Sequence, residues 1–176
     1  MAFAAATTPL PSRIPTPDTS TGATGTPQQQ MVDYLLPYPG MLADHPLYPL
    51  KLLRDRLLDF LIRDPVKRVE FNLLMADKRL AMGIALTEKG NHKLAEETVS
   101  KGEKYFVLSL DELQRAKEQN RDIHSSLLDR LAKSGTKHNE VVQNLKKQSP
   151  EDIQKGYDTS LSLIAENRER IVSFGR

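Results

Sequence analysis

The side chains with the widest chemical range in this 176-residue sequence are four histidines, His45, His92, His124 and His138, because neutral imidazole ligates metals and titrates near neutrality. A transition-metal centre needs several such groups at short helical or hairpin spacings. These four share no such spacing. His124 and His138 stand fourteen residues apart, about four helical turns, too far to chelate one ion. The sequence contains no cysteine, which excludes a thiolate zinc site, a disulfide-stapled scaffold and a Cys nucleophile. The acidic pairs Glu96-Glu97 and Glu151-Asp152 are adjacent in sequence and point in different directions on a helix, so they read as solvated face and helix N-terminus, not as an acid/base dyad. No glycine-rich phosphate loop, nucleophile elbow or H-E-x-x-H is present. No catalytic, cofactor-binding or metal-ligating residue is therefore assigned, no cofactor is expected, and an enzyme is not the expected class.

Two groups remain. Tyr34, Tyr38 and Tyr48 are interleaved with Pro37, Pro39, Pro46 and Pro49, a candidate aromatic-proline docking surface for a protein partner; the structural alternative is that the Tyr48 ring plugs the end of a helical bundle. Ser134, Gly135 and His138 occupy positions where a helical stripe should be apolar. They mark a weak seam, with partial exposure or a partner laid against it as the expected consequence.

The elements that carry these residues are helices. The composition is 39% hydrophobic, 6% aromatic and free of Trp, which describes a core of Leu, Ile, Val and Ala rather than of strands. Leu50, Leu53, Leu57 and Leu61 form one stripe of a helix over Pro49–Arg63, with Lys51, Arg54, Asp55 and Asp59 largely opposite. Asp64-Pro65 ends it and caps the next, since the residue before proline leaves the α region and proline suits the first helical position. A second helix follows from Pro65 to about Lys89. Its stripe runs through Val69, Leu73, Ala76 and Leu80, with Gly83 at a close helix approach and Asp77 and Arg79 on a solvated polar face. Gly90-Asn91 signals a turn. A third helix, about His92 to Gln119, spaces Val99, Gly102, Phe106, Leu110 and Leu113 close to a heptad seam. The fourth runs from Ile123 to about Gln148, and Ser149-Pro150 opens a fifth with Ser149 as its cap. The predicted fold is all-α: an elongated antiparallel bundle of about five helices, two long hairpins plus a shorter N-terminal helix, over residues 34–176.

The N-terminal region is different in kind. Nine of the eleven prolines fall within the first 49 residues, and only Arg13, Asp18 and Asp33 are charged before Asp44. Residues 7–33 read as a disordered Thr/Pro-rich linker, too poor in apolar groups to offset ordering entropy. The small-residue start, Met1-Ala2-Phe3-Ala4-Ala5-Ala6, has the character of a signal-peptide end and is taken as its remnant over 1–6. No run approaches the ~18–20 apolar residues needed to span a bilayer. The net charge of +2, or +4 from 24 basic and 20 acidic residues counted from Pro46 onward, is too mixed for dedicated nucleic-acid binding.

Residues 35–90 carry a Pro39-Gly40 turn, a Pro46-Leu47-Tyr48-Pro49-Leu50-Lys51 helix start, the Asp64-Pro65 corner, Ala76-Asp77-Lys78-Arg79-Leu80 and Glu88-Lys89-Gly90. In this order they resemble a bacterial domain family of unknown function. The resemblance implies an all-helical domain lying outside the cytoplasmic membrane, behind a signal or anchor, and brings no catalytic residues. The expected function is a non-enzymatic structural or protein-interaction module of the bacterial cell envelope. Its alternative is a cytosolic helical adapter with a disordered N-terminal tail.

Overall fold

The computed structural model describes residues 33–175, and every structural statement refers to these. The expected signal-peptide end and all but residue 33 of the expected linker lie outside the described residues. Five helices follow in order: α1 (Tyr48–Leu61), α2 (Pro65–Glu88), α3 (His92–Glu118), α4 (Ser125–Gln148) and α5 (Glu151–Phe174). Local chemistry accounts for most boundaries. The Asp64 carboxylate accepts from the backbone N–H groups of Val66 and Lys67, satisfying two donors that an α-helix leaves orphaned at its start. Gly90 adopts φ 78°, and Asn91 donates its N–H to Leu86 O at 2.8 Å, a left-handed helix stop that a Cβ would strain. Ser149 does not cap α5. Its hydroxyl donates back to Leu145 O at 2.8 Å, leaving Pro150 in the cap position without a side-chain bond.

Helices α2 and α3 form one antiparallel hairpin and α4 and α5 another; the hairpins meet through α2 against α4 and α3 against α5. Like ends lie together in these second pairs. Arg130 at the start of α4 reaches Glu70 at the start of α2, and Lys117 at the end of α3 donates to Phe174 O at the end of α5. The antiparallel relation thus holds within hairpins, whereas neighbours from different hairpins run parallel.

Two small residues set the closeness of the first hairpin. A Cβ on Gly83 would meet Val99 Cγ2 at 2.3 Å, and one on Gly102 would meet Ala76 O at 3.3 Å, so α2 and α3 approach at glycine on both sides. The apolar interior divides along the bundle axis. Towards the α2 N-terminus, Val69, Leu73, Phe106, Leu110 and Leu131 pack as one cluster; towards its C-terminus, Leu80, Val99, Val142, Tyr157 and Ile164 pack as another. Each buried Leu, Ile, Val or Phe contributes about 1.5–3 kcal/mol of transfer free energy.

Helix α1 behaves differently. No helix packs closely along it. It runs back beside α2, held at one end by Lys89 and Asp44 at 2.9 Å and at the other by Arg68 and Asp59 at 3.6 Å.

Candidate functional site

Between the two apolar clusters lies a layer of polar side chains. Asp77 enters from α2, Glu103 from α3, and Ser134 and His138 from α4. His138 is fully buried. Its Nδ1 lies 2.7 Å from Glu103 Oε1 and its Nε2 3.1 Å from Asp77 Oδ1. Ser134 Oγ donates to the same Asp77 oxygen at 2.6 Å, and the Tyr34 hydroxyl donates to Asp77 Oδ2, also at 2.6 Å. Phe106 meets the imidazole edge-on, with ring centroids 5.2 Å apart.

Burial by itself would lower the His138 pKa. The Glu103 charge, the hydrogen bonds to Asp77 and Glu103, and the Asp77 charge outweigh that and raise it to about 9. His138 is thus an imidazolium near neutral pH, donating from both nitrogens. The Tyr34 phenol is pushed upward by burial, then by its bond to Asp77 and the charge there.

This geometry corrects two expectations. Ser134, Gly135 and His138 are not a loosely packed, partly exposed seam; all three are buried, with Ser134 and His138 inaccessible to solvent. Polar residues fit there because their partners stand on the facing helices, and Phe106, Arg168 and Ile171 close over Gly135, each at ordinary contact distance, 3.5 Å, from where a Cβ would lie. Asp77 and Arg79 are likewise buried instead of solvated. Arg79 is covered by the Tyr105 ring, 4.1 Å from its guanidinium carbon.

The layer is closed to solvent, with Glu103 Oε2 its one buried oxygen lacking a hydrogen-bond partner. A histidine with both nitrogens donating to carboxylates has no lone pair with which to act as a base. Ser134 donates its hydroxyl hydrogen to Asp77 but is wholly buried, so no substrate can reach its oxygen. Among the described residues no group of His, Asp and Glu is arranged to hold a metal ion. Of the other histidines, His45 accepts from Leu47 N–H, His124 caps α4 by accepting from Ser126 N–H, and His92 lies 3.5 Å from Ser149 Oγ. Sequence reasoning missed Asp77 and Glu103 as members. The available signal was positional: Asp77, Glu103 and His138 all stand near the midpoints of their helices.

The three tyrosines do not converge. Tyr34 and Tyr38 line separate grooves that share only Pro37. Tyr48 is half-buried beside Arg79, Asp55 and Tyr105, along the flank of the α2–α3 hairpin rather than over the bundle end. Tyr38 is exposed.

The larger exposed feature is α1 itself. Asp55 is buried and Lys51, Leu52 and Asp59 are partly covered, whereas the predicted core stripe faces outward: Leu53 is 65% exposed, Leu57 58%, Leu61 64% and the neighbouring Phe60 81%. The helix is therefore amphipathic, as its spacing predicts, but turned around. Asp59 turns to the body, where Arg68 of α2 pairs with it, while Asp55 is buried and pairs with Arg54 of its own helix at 2.8 Å.

Residues 40–152 match the family described as Domain of unknown function (DUF5667). The chain belongs to this family. The DUF5667 match spans α1 through α4 and the start of α5, and so includes the outward-facing helix, Asp77, Glu103, Ser134 and His138. Tyr34 and Tyr38 precede it. No curated protein and no solved structure matches the chain.

Proposed function

We propose that this DUF5667 protein is a non-enzymatic docking module of the bacterial cell envelope, in which the rigid α2–α5 bundle holds α1 out as the adhesive element. The observation that carries the reading is the outward row of Leu50, Leu53, Leu57, Phe60 and Leu61, all exposed on one side of a helix whose polar side is fixed to the body. A contiguous apolar row of this kind marks an interaction surface. The buried polar layer supports a scaffold role, since Asp77, Glu103, Ser134 and His138 bond to one another across three helices away from solvent. No described helix is long and apolar enough to cross a membrane, so attachment through this region would be to a surface.

The test is co-sedimentation of purified full chain with isolated bacterial envelopes. Wild type is expected to pellet with them, and Leu53→Glu/Leu57→Glu to stay in the supernatant with an unchanged thermal midpoint. Equal pelleting of both proteins, or none of either, would sink the docking role. Fractionation of the source cells checks the location: a chain wholly in the cytoplasm contradicts it.

A further inference from the structure

Helix α1 carries a charge pattern that narrows what it docks on. At 100° per residue, the outward row of Leu50, Leu53, Leu57, Phe60 and Leu61 is bordered by Arg54 on one side and by Arg56 on the other, and Arg63 follows just past the helix C-terminus. Arg56 and Arg63 are exposed, and the Arg54 side chain is 63% exposed despite its pairing with Asp55. Both acids of the helix, Asp55 and Asp59, lie on the opposite side. The outward side therefore presents apolar groups and cations only. Beside the helix N-terminus the apolar surface continues into an open groove of about 620 Å³ lined by Tyr38, Met41, Leu47 and Leu50 together with Lys51 and Lys78.

We infer that the outward side of α1 binds an anionic lipid surface. An interfacial helix has this construction: an apolar row sunk about 5–10 Å into the acyl boundary, with arginines on both flanks placing their stems along it and their guanidinium groups at headgroup depth. Docking of a second copy through the same row is opposed by charge, because both flanks of both helices are cationic and α1 carries no acid on that side. The exposed Tyr38 that lines the groove has the amphipathic ring found at membrane interfaces. The body would then sit above the headgroups, since α1 turns its polar side towards α2 and α3.

This inference rests on the docking role proposed above, and protein-free vesicles separate the two. Full chain is floated with phosphatidylglycerol/phosphatidylcholine vesicles and with phosphatidylcholine vesicles alone, at low and high salt, alongside sedimentation equilibrium without lipid. Expected are binding to the anionic vesicles, loss of about tenfold or more on Arg56→Glu/Arg63→Glu and on Leu53→Glu/Leu57→Glu, weakening at high salt, and a monomer in solution. Envelope binding without vesicle binding would overturn the lipid inference and leave the docking role standing. Equal binding to both vesicle types would overturn the anionic requirement. A dimer broken by Leu57→Glu, with no vesicle binding, would assign the face to a second copy. Unchanged melting of each variant shows that a loss of binding is not a loss of fold.

Discussion

The interior of the α2–α5 bundle and the outer side of α1 invert each other. The bundle buries a histidine, two carboxylates and a serine at its centre, while α1 exposes five leucines and a phenylalanine. Each region is explained by what stands opposite. At the bundle centre every buried charge faces another from a different helix, so desolvation is offset by ion pairing and hydrogen bonding. Along α1, Arg68 of the body pairs with Asp59 and Tyr48 lies beside Arg79 and Tyr105, so the polar side is turned inward and the leucines are left without a protein partner. Polarity alone does not assign a residue to inside or outside; the chemistry of the facing surface does.

The polar layer also gives the fold a register. Apolar clusters on either side of it would tolerate sliding of one hairpin along the other, whereas Asp77 and Glu103 meet His138 at only one axial offset. A buried polar group that fixes alignment at some cost in stability has parallels in helical coiled coils.

The largest expected effect comes from unbalancing that layer. His138→Leu leaves two buried carboxylates without their counter-charge and should cost about 3–5 kcal/mol in urea unfolding; a loss under 1 kcal/mol would mean that the layer is not held together by charge. The same residue sets a pH dependence. Its folded pKa of about 9 lies above the ordinary 6.5, so its stabilisation is complete below about pH 6.5 and disappears as pH rises through 9. Unfolding curves from pH 6 to 9.5 should show wild type losing stability over that window and His138→Leu lacking this component.

An identical truncation in the two regions gives the direct contrast. Leu73→Ala, in the buried core, should cost about 2–5 kcal/mol. Tyr34→Phe comes next, at about 1–3 kcal/mol, because it removes the phenolic donor to Asp77; a change in the pH profile of this variant would show that Tyr34 communicates with His138 through Asp77. The smallest effect belongs to Leu53→Ala, within about 0.5 kcal/mol of wild type in the absence of lipid. A loss comparable to Leu73→Ala would show that α1 is covered in solution and would break the comparison.

Much of the architecture was legible in the residues. The cap and corner at Asp64-Pro65, the stop at Gly90 and the stripes of α2 and α3 rest on local dihedral preference and a 3.6-residue period, both properties of a short stretch of chain. The close approach at Gly83 was readable for the same reason: a glycine on an apolar stripe leaves space for a neighbour. The candidate site was less legible. The break in the α4 stripe at Ser134, Gly135 and His138 was visible, but its meaning was not, because Asp77 and Glu103 are 61 and 35 residues away from His138 along the chain. Nothing in the α4 stripe distinguishes a seam opened to solvent from one filled by carboxylates arriving from other helices.

The sequence by itself determined that the region from Tyr48 onward forms five helices, where most of them begin and end, and that α1 has an apolar row and a charged side. Tertiary structure alone decided which way α1 turns and whether the polar break in α4 is exposed. Helix formation follows from hydrogen bonds and side-chain spacing within a few residues. The orientation of a face follows from the charge and shape of the surface it meets, and that surface exists only after the hairpins have packed.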